Sequence, residues 1–236
     1  MASDRRLIVN ADDFGISPGV NAGIIEAHER GIVTSTSFMT RWPAAPAAAE
    51  YARAHPKFGI GLHIDLSEWI CRDGNWEALY EVVSLEDAAA IEREIRQQLD
   101  AFRRLIGRDP DHLDSHQHAH RKEPVHSIAR TIATELDIPL RHFSNARYCG
   151  EFYGQGGVGE PYPELIQPDA LIQIIRSLPE GLTELCCHPG RGADLETMYL
   201  REREIELASL CDPAVRNAID ECEVSLCTFA TSQTSN

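Results

Sequence analysis

Four groups of polar residues each sit at or near the end of an apolar run. Asn10-Ala11-Asp12-Asp13-Phe14-Gly15 follows Leu7 to Val9, and Gly61-Leu62-His63-Ile64-Asp65 lies late in a second run. Asp114-Ser115-His116-Gln117-His118-Ala119-His120 follows a third, and His188-Pro189-Gly190 leaves a fourth. Adjacent carboxylates such as Asp12 and Asp13 repel each other unless something neutralises them. A bound cation does so, and it lets one ligate while the other stays free to take a proton from water. Taken alone the pair also fits a solvated turn, because Asp-Asp-x-Gly is ordinary turn chemistry. The histidines are more specific. At i, i+2 and i+4, all three of His116, His118 and His120 face one way on a strand end, whereas on a helical turn His116 and His120 do. Imidazole is a common metal ligand, and three histidines within five residues after Asp114 point to metal chemistry. His63 and His188 would each, alone, read as a packed histidine; the other groups raise both to candidate site residues. His28, His55, His112, His126 and His142 read as surface or packing residues.

These groups can act together only if the fold brings them to one place. Leu7 to Asn10 reads as a first strand, and Ser17-Pro18 as an N-cap and first helical position, with the helix stopping at Gly31. Ile32 to Met39 reads as strand two, the alanine-rich segment 44–54 as a helix, and Phe58 to Leu66 as strand three. An irregular stretch holding Trp69, Trp76 and Tyr80 precedes a long amphipathic helix over Leu85 to Ile106, whose Ile91, Ile95, Leu99 and Phe102 recur at helical spacing. Asp111 to Ser115 reads as strand four, Pro124 to Leu136 as a helix, and Ile138 to His142 as strand five. A glycine-rich loop covers Gly150 to Pro163. Asp169 to Ser177 reads as a helix, Thr183 to Cys187 as strand six, Tyr199 to Leu210 as a helix, and Val224 to Phe229 as a last strand. Alternating strands and helices predict a parallel sheet, either an incomplete (β/α) barrel or an open doubly wound sheet. Both place chemistry at the carboxyl ends of the strands, which is where the polar groups lie.

The chain has 236 residues, which suits one globular domain spanning 1–236. Its formal net charge of −15 argues against nucleic acid and anionic membrane surfaces as partners. Seven cysteines without a C-x-x-C pair or framework predict reduced thiols and a cytoplasmic location. The N-terminus lacks the apolar run of a signal peptide, and no stretch is long enough to span a bilayer.

Together the motifs closely resemble the YdjC-type carbohydrate deacetylases, which include the chitooligosaccharide deacetylases. The resemblance runs through Leu7 to Ser17, Gly31 to Ser37, Gly61-Leu62-His63, His112 to His118, Leu182 to Gly190 and Arg201-Glu202-Arg203-Glu204, in the right order and along nearly the whole chain. It implies a distorted (β/α) barrel related to polysaccharide deacetylases. It implies one divalent metal held by Asp13, His63 and His116, with Asp12 as catalytic base and His188 as acid. Two imidazoles suit Zn²⁺ or another transition metal, while a water-rich site with one carboxylate also suits Mg²⁺. Asp114 is positioned to orient a histidine. His118, His120 and Arg191 are further candidates near the metal or substrate.

The implied reaction is hydrolysis of an acetamido group on an N-acetylated sugar or oligosaccharide. Trp69, Trp76, Phe152 and Tyr153 offer flat apolar faces for sugar rings, or else simply pack their loops. A homodimer is kept among the expected partners. The chain departs from many relatives at Ile64 to Trp69 and at Tyr148 to Gly157, which puts the identity of the sugar in doubt. Two other readings remain: a metal-dependent phosphoesterase using Arg147 and Arg191, and a metal-containing sugar-binding protein without catalysis. The intact Asp12 argues against the second, since a binder needs no base.

Overall fold

In the computed structural model, which describes residues 4–232, the strands are β1 (Arg5–Phe14), β2 (Ser35–Phe38), β3 (Gly59–Ile64), β4 (Ser67–Arg72), β5 (Asn75–Glu81), β6 (Leu113–Ser115), β7 (Arg147–Cys149), β8 (Gly181–Cys187) and β9 (Ser225–Leu226). The helices are α1 (Pro18–Glu29), α2 (Ala45–Ala54), α3 (Ala88–Ile106), α4 (Val125–Leu136), α5 (Pro168–Ser177), α6 (Arg201–Leu210), α7 (Pro213–Glu221) and α8 (Phe229–Ser232). Local chemistry accounts for several boundaries. Ser17 caps α1 by accepting from the Val20 N–H, with proline in the first turn. Asp87 caps α3 in the same manner, and Gly107 ends it in the left-handed conformation.

The main sheet runs β6-β3-β2-β1-β8-β7, with every pair parallel. It curls into an incomplete (β/α) barrel, one of the two architectures that the alternation leaves open and the one that the resemblance implies. The lower half of β1 also pairs with β9 through Arg6 and Leu7. The main apolar core lies between the curled sheet and its helices; Val9, Leu62, Leu113 and Leu185 from the strands pack there with Ile24, Ile95, Ile132 and Leu207 from the helices.

The barrel interior is built differently. At the amino ends of the strands, Ile8, Ala146, Leu182 and Phe229 form a small apolar plug. Above it, a layer of buried polar side chains includes Asn10, Ser37, Asp114, Arg141 and Glu184.

Three local expectations are corrected. Residues 138–142 do not form a strand: Leu140 makes one parallel bridge to Leu113. Pro139 has no N–H to give a ladder, and His142 turns the chain away at φ +67°. The stretch around Trp69 and Trp76 is not irregular but an antiparallel hairpin of β4 and β5. Asp73 and Gly74 at its tip both have positive φ, as a two-residue hairpin turn requires. The last strand shrinks to Ser225–Leu226, because Phe229 begins a short helix and drops into the plug. Helix α7, capped by Asp212 and led by Pro213, was not anticipated.

Candidate metal centre and its cleft

In a regular strand Asp12 and Asp13 would point to opposite faces. β1 prevents this with a bulge: it advances from Ala11 to Phe14 while β2 advances only from Thr36 to Phe38. Asp13 takes the extra position at φ +74°. Gly15 follows at φ +101°, where a Cβ would lie 2.5 Å from the Met39 carbonyl oxygen. Both carboxylates therefore reach the same end of the barrel.

There Asp13 Oδ1 lies 3.4 Å from His63 Nε2 and 3.2 Å from His116 Nδ1. One donor atom from each of the three residues lies within 4.8 Å of the others. Asp13 Oδ2 accepts from Arg203 at 2.6 Å, while Oδ1 is buried without a hydrogen-bond partner. Asp114 Oδ1 pairs with His63 Nδ1 at 2.8 Å, which turns Nε2 toward Asp13. His116 starts a 3-10 turn, His116–Arg121, in which Gln117 and His118 are left-handed. Its Nε2 lies 3.4 Å from Glu68 on β4. Gln117 ties hairpin to turn by exchanging two hydrogen bonds with the Trp69 backbone, at 2.8 and 2.9 Å.

Asp12 is held quite differently. Arg141 donates to both of its oxygens at 2.7 Å, and also pairs with Asp114 and Glu184, each at 2.7 Å. Burial pushes the Asp12 carboxyl up, but the Arg141 guanidinium outweighs burial and holds it at about 2. Burial disfavours a charged His63, yet Asp114 and Asp12 draw its imidazole up to about 9. His188 Nε2 lies 4.0 Å from Asp12 Oδ2. Glu206 anchors His188 by accepting its backbone N–H and also accepts the Tyr199 hydroxyl.

The donor set fits a divalent cation. The bare oxygen of Asp13 faces two imidazoles, and excess negative charge is buried around them. Asp12, Cys186 and His188 also lie close enough together to hold an ion. That group is a poorer fit, because Arg141 already occupies both Asp12 oxygens and burial pushes the Cys186 thiol well up.

These residues open onto a cleft of about 910 Å³, whose wall includes Trp69, Trp76, Tyr148, Phe152, Tyr153 and Tyr199. Tyr153 stacks on Tyr199 with ring centroids 4.6 Å apart and meets the edge of His188. The structure thus brings Asp12, Asp13, His63, His116 and His188 together, with Asp114 behind them and Trp69 and Tyr153 at the wall. Arg191 lies elsewhere, with its guanidinium paired to Glu26 at 2.5 Å. Asp65 binds Arg41, Trp42 and Tyr80 instead of facing the metal position. His118 and His120 gather with His142, a residue that the sequence alone assigns to surface or packing.

Sequence reasoning missed Glu68, Arg141, Glu184, Arg203 and Glu206. A signal existed for Glu184, a charge within an apolar strand that must find a partner, and for Arg141, directly after Ile138-Pro139-Leu140. Nothing local marks Glu68.

The chain matches the YdjC-like protein family over residues 6–221. It is 34% identical to a carbohydrate deacetylase of Geobacillus stearothermophilus, over 95% of this chain and 97% of that protein. It is 30% identical to a chitooligosaccharide deacetylase of Serratia marcescens, over 92% and 95%. Among solved structures, a candidate cellobiose-phosphate cleavage protein of Enterococcus faecalis superposes with a TM-score of 0.77 at 26% identity, covering 97% of this chain and 99% of that one. A family 4 carbohydrate esterase of Streptomyces lividans shares the fold, with a TM-score of 0.60 at 14% identity over 99% and 96%. With the family match running nearly from end to end, this protein belongs to the YdjC-like family.

Proposed function

We propose that this chain is a metal-dependent hydrolase that removes acetyl groups from N-acetylated sugars, acting as one catalytic unit. The observation that carries the reading is the division of labour between adjacent aspartates: Asp13 presents a bare oxygen to His63 and His116, while Arg141 holds Asp12 ionised beside them. The names of the relatives support a sugar acetamide as the substrate.

Asp13, His63 and His116 would hold the cation, with Zn²⁺ and Mg²⁺ both compatible with one carboxylate and two imidazoles. Once bound, it supplies Lewis acidity toward the acetyl carbonyl and the attacking water. Asp12 takes the water proton as the oxygen attacks the carbonyl carbon. The C–N bond then breaks, and His188 donates the proton that the departing sugar amine needs. Asp114 keeps His63 in the orientation that ligation requires. Trp69, Trp76 and Tyr153 give the sugar rings flat faces along the cleft. The seven cysteines are all free, which supports a reducing compartment such as the cytoplasm. Among the described residues, no helix is long and apolar enough to cross a membrane.

Phosphoester hydrolysis has less support. It needs cations free to hold phosphate, whereas Arg191 points to Glu26, Arg147 is not among the residues that line the cleft, and Arg141 and Arg203 are committed to carboxylates. The test is acetate release from a panel of N-acetylated mono- and oligosaccharides, including diacetylchitobiose, with phosphate release from phosphorylated disaccharides run in parallel. Chelator-sensitive acetate release that Asp13→Ala and His116→Ala abolish is the expected result. Phosphate release without acetate would overturn it.

A further inference from the structure

We propose that His118, His120 and His142 form a second metal site, distinct from Asp13, His63 and His116, which takes one divalent transition-metal ion of the Zn²⁺ class. His118 and His120 come from the turn after β6, and His142 follows the segment that bridges to Leu113. One ring nitrogen from each lies within 4.8 Å of the others.

Existing partners occupy one nitrogen on two of the three rings. His118 Nε2 meets the Tyr148 hydroxyl at 3.2 Å, and His120 Nδ1 meets Ser115 Oγ at 2.6 Å. That leaves Nδ1 of His118, Nε2 of His120 and Nε2 of His142 buried without a hydrogen-bond partner. His120 is fully buried. An unmet buried polar group is costly, so three of them within one histidine cluster call for a shared partner. Ligating histidines are usually oriented by a hydrogen bond at the other ring nitrogen, most often to a carboxylate, carbonyl or water; here the Tyr148 and Ser115 hydroxyls take that place for His118 and His120. The backbone carries a second sign. His118 at φ +53° and His142 at φ +67° are both left-handed, a conformation that costs energy outside glycine and concentrates at functional positions.

A set of three imidazoles without a carboxylate selects Zn²⁺, Co²⁺, Ni²⁺ or Cu²⁺ over Mg²⁺ or Ca²⁺. Zn–N bonds of about 2.0–2.1 Å require the rings to draw in slightly. The positive charge of nearby Arg141 is met by Asp12, Asp114 and Glu184. A bound ion would clip the turn that begins at His116 to the segment that carries Arg141. It would therefore brace two residues of the neighbouring centre, on a wall of the same cleft that His118 and Tyr148 line.

The test titrates the metal-stripped full chain with Zn²⁺ and Co²⁺ and counts bound equivalents by equilibrium dialysis. Wild type should bind two, while Asp13→Ala and His142→Ala each bind one and the double variant none. In Asp13→Ala the remaining Co²⁺ should show intense visible bands of low coordination number. If His142→Ala fails to fold, His142→Gln and the Co²⁺ spectrum of Asp13→Ala, which leaves the three histidines untouched, still read the site. Loss of all binding in folded Asp13→Ala, or two equivalents retained in folded His142→Ala or His142→Gln, would overturn the proposal.

Discussion

Asp12 combines two properties that pull against each other. Its carboxyl, held at about 2 by Arg141 against the push of burial, is ionised at any working pH and is a weak base in the resting site. In the proposed mechanism it would take a proton only from water made acidic by a neighbouring cation, which would make its basicity conditional on the metal. Asp12→Asn keeps the shape and removes the proposed base. Turnover should fall by about 10²–10⁴-fold while metal content and KM stay close to wild type; steady-state kinetics with metal analysis checks this, and near-normal kcat would remove Asp12 from the mechanism. Asp114 acts through His63. Asp114→Asn should therefore weaken metal binding at that centre by about 10–100-fold in calorimetric titration, and an unchanged affinity would deny it the positioning role. The residues that the structure brings together (Asp12, Asp13, His63, His116 and His188) were candidates in the sequence, His63 and His188 only because the other groups raised them. Glu68 and Arg203 were not, and Arg141 showed only as a charge after an apolar run, because each acquires its part by meeting a carboxylate or imidazole far away in sequence.

At the scale of elements, two devices build the site: the bulge that turns Asp12 and Asp13 to one side, and the β4–β5 hairpin that brings Glu68 to His116 and two tryptophans to the cleft. Most strands and helices were legible because their apolar periodicity and caps agree with the fold. The bulge was hidden, since an Asp-Asp-x-Gly turn and a bulged strand share the same residues. The hairpin carried a readable Asp73-Gly74 signal, but β5 is largely exposed and its alternation of Trp76, Ala78 and Tyr80 is broken by Leu79. Residues 138–142 were over-read, as an apolar run says nothing of the N–H that Pro139 lacks. Trp76 is half exposed, at 50%, so little of the fold depends on it. Trp76→Ala should raise KM for oligosaccharides several-fold with kcat unchanged, the pattern of lost uniform binding, and should move folding stability by no more than about 0.5 kcal/mol. Unaltered kinetics on every acetylated oligosaccharide tested would take the hairpin out of substrate binding.

For the molecule as a whole, the interior of the barrel is held by charge rather than by the branched apolar layers usual in such barrels. Arg141 is fully buried and stitches β1, β6 and β8 together through Asp12, Asp114 and Glu184, while Phe229 seals the layer from below against His112 at 4.0 Å. Arg141→Met fills much of the same space but strands three buried carboxylates, and breaking buried pairing of this kind costs about 3–5 kcal/mol. The loss should depend on pH. In wild type, a carboxyl depressed to about 2, like that of Asp12, contributes stability that is complete above its ordinary unfolded value and disappears as pH falls through 2. In the variant, burial without a cation raises the carboxyls instead. They take up protons in the folded state, so stability is lost as pH rises through their new values. The melting temperatures of the two proteins should therefore lie far apart at pH 7 and converge toward pH 4, measured with chelator present so that no ion contributes. A gap that stays constant across that range would mean that Arg141 supports the barrel by packing, with the charge of its guanidinium incidental to the fold.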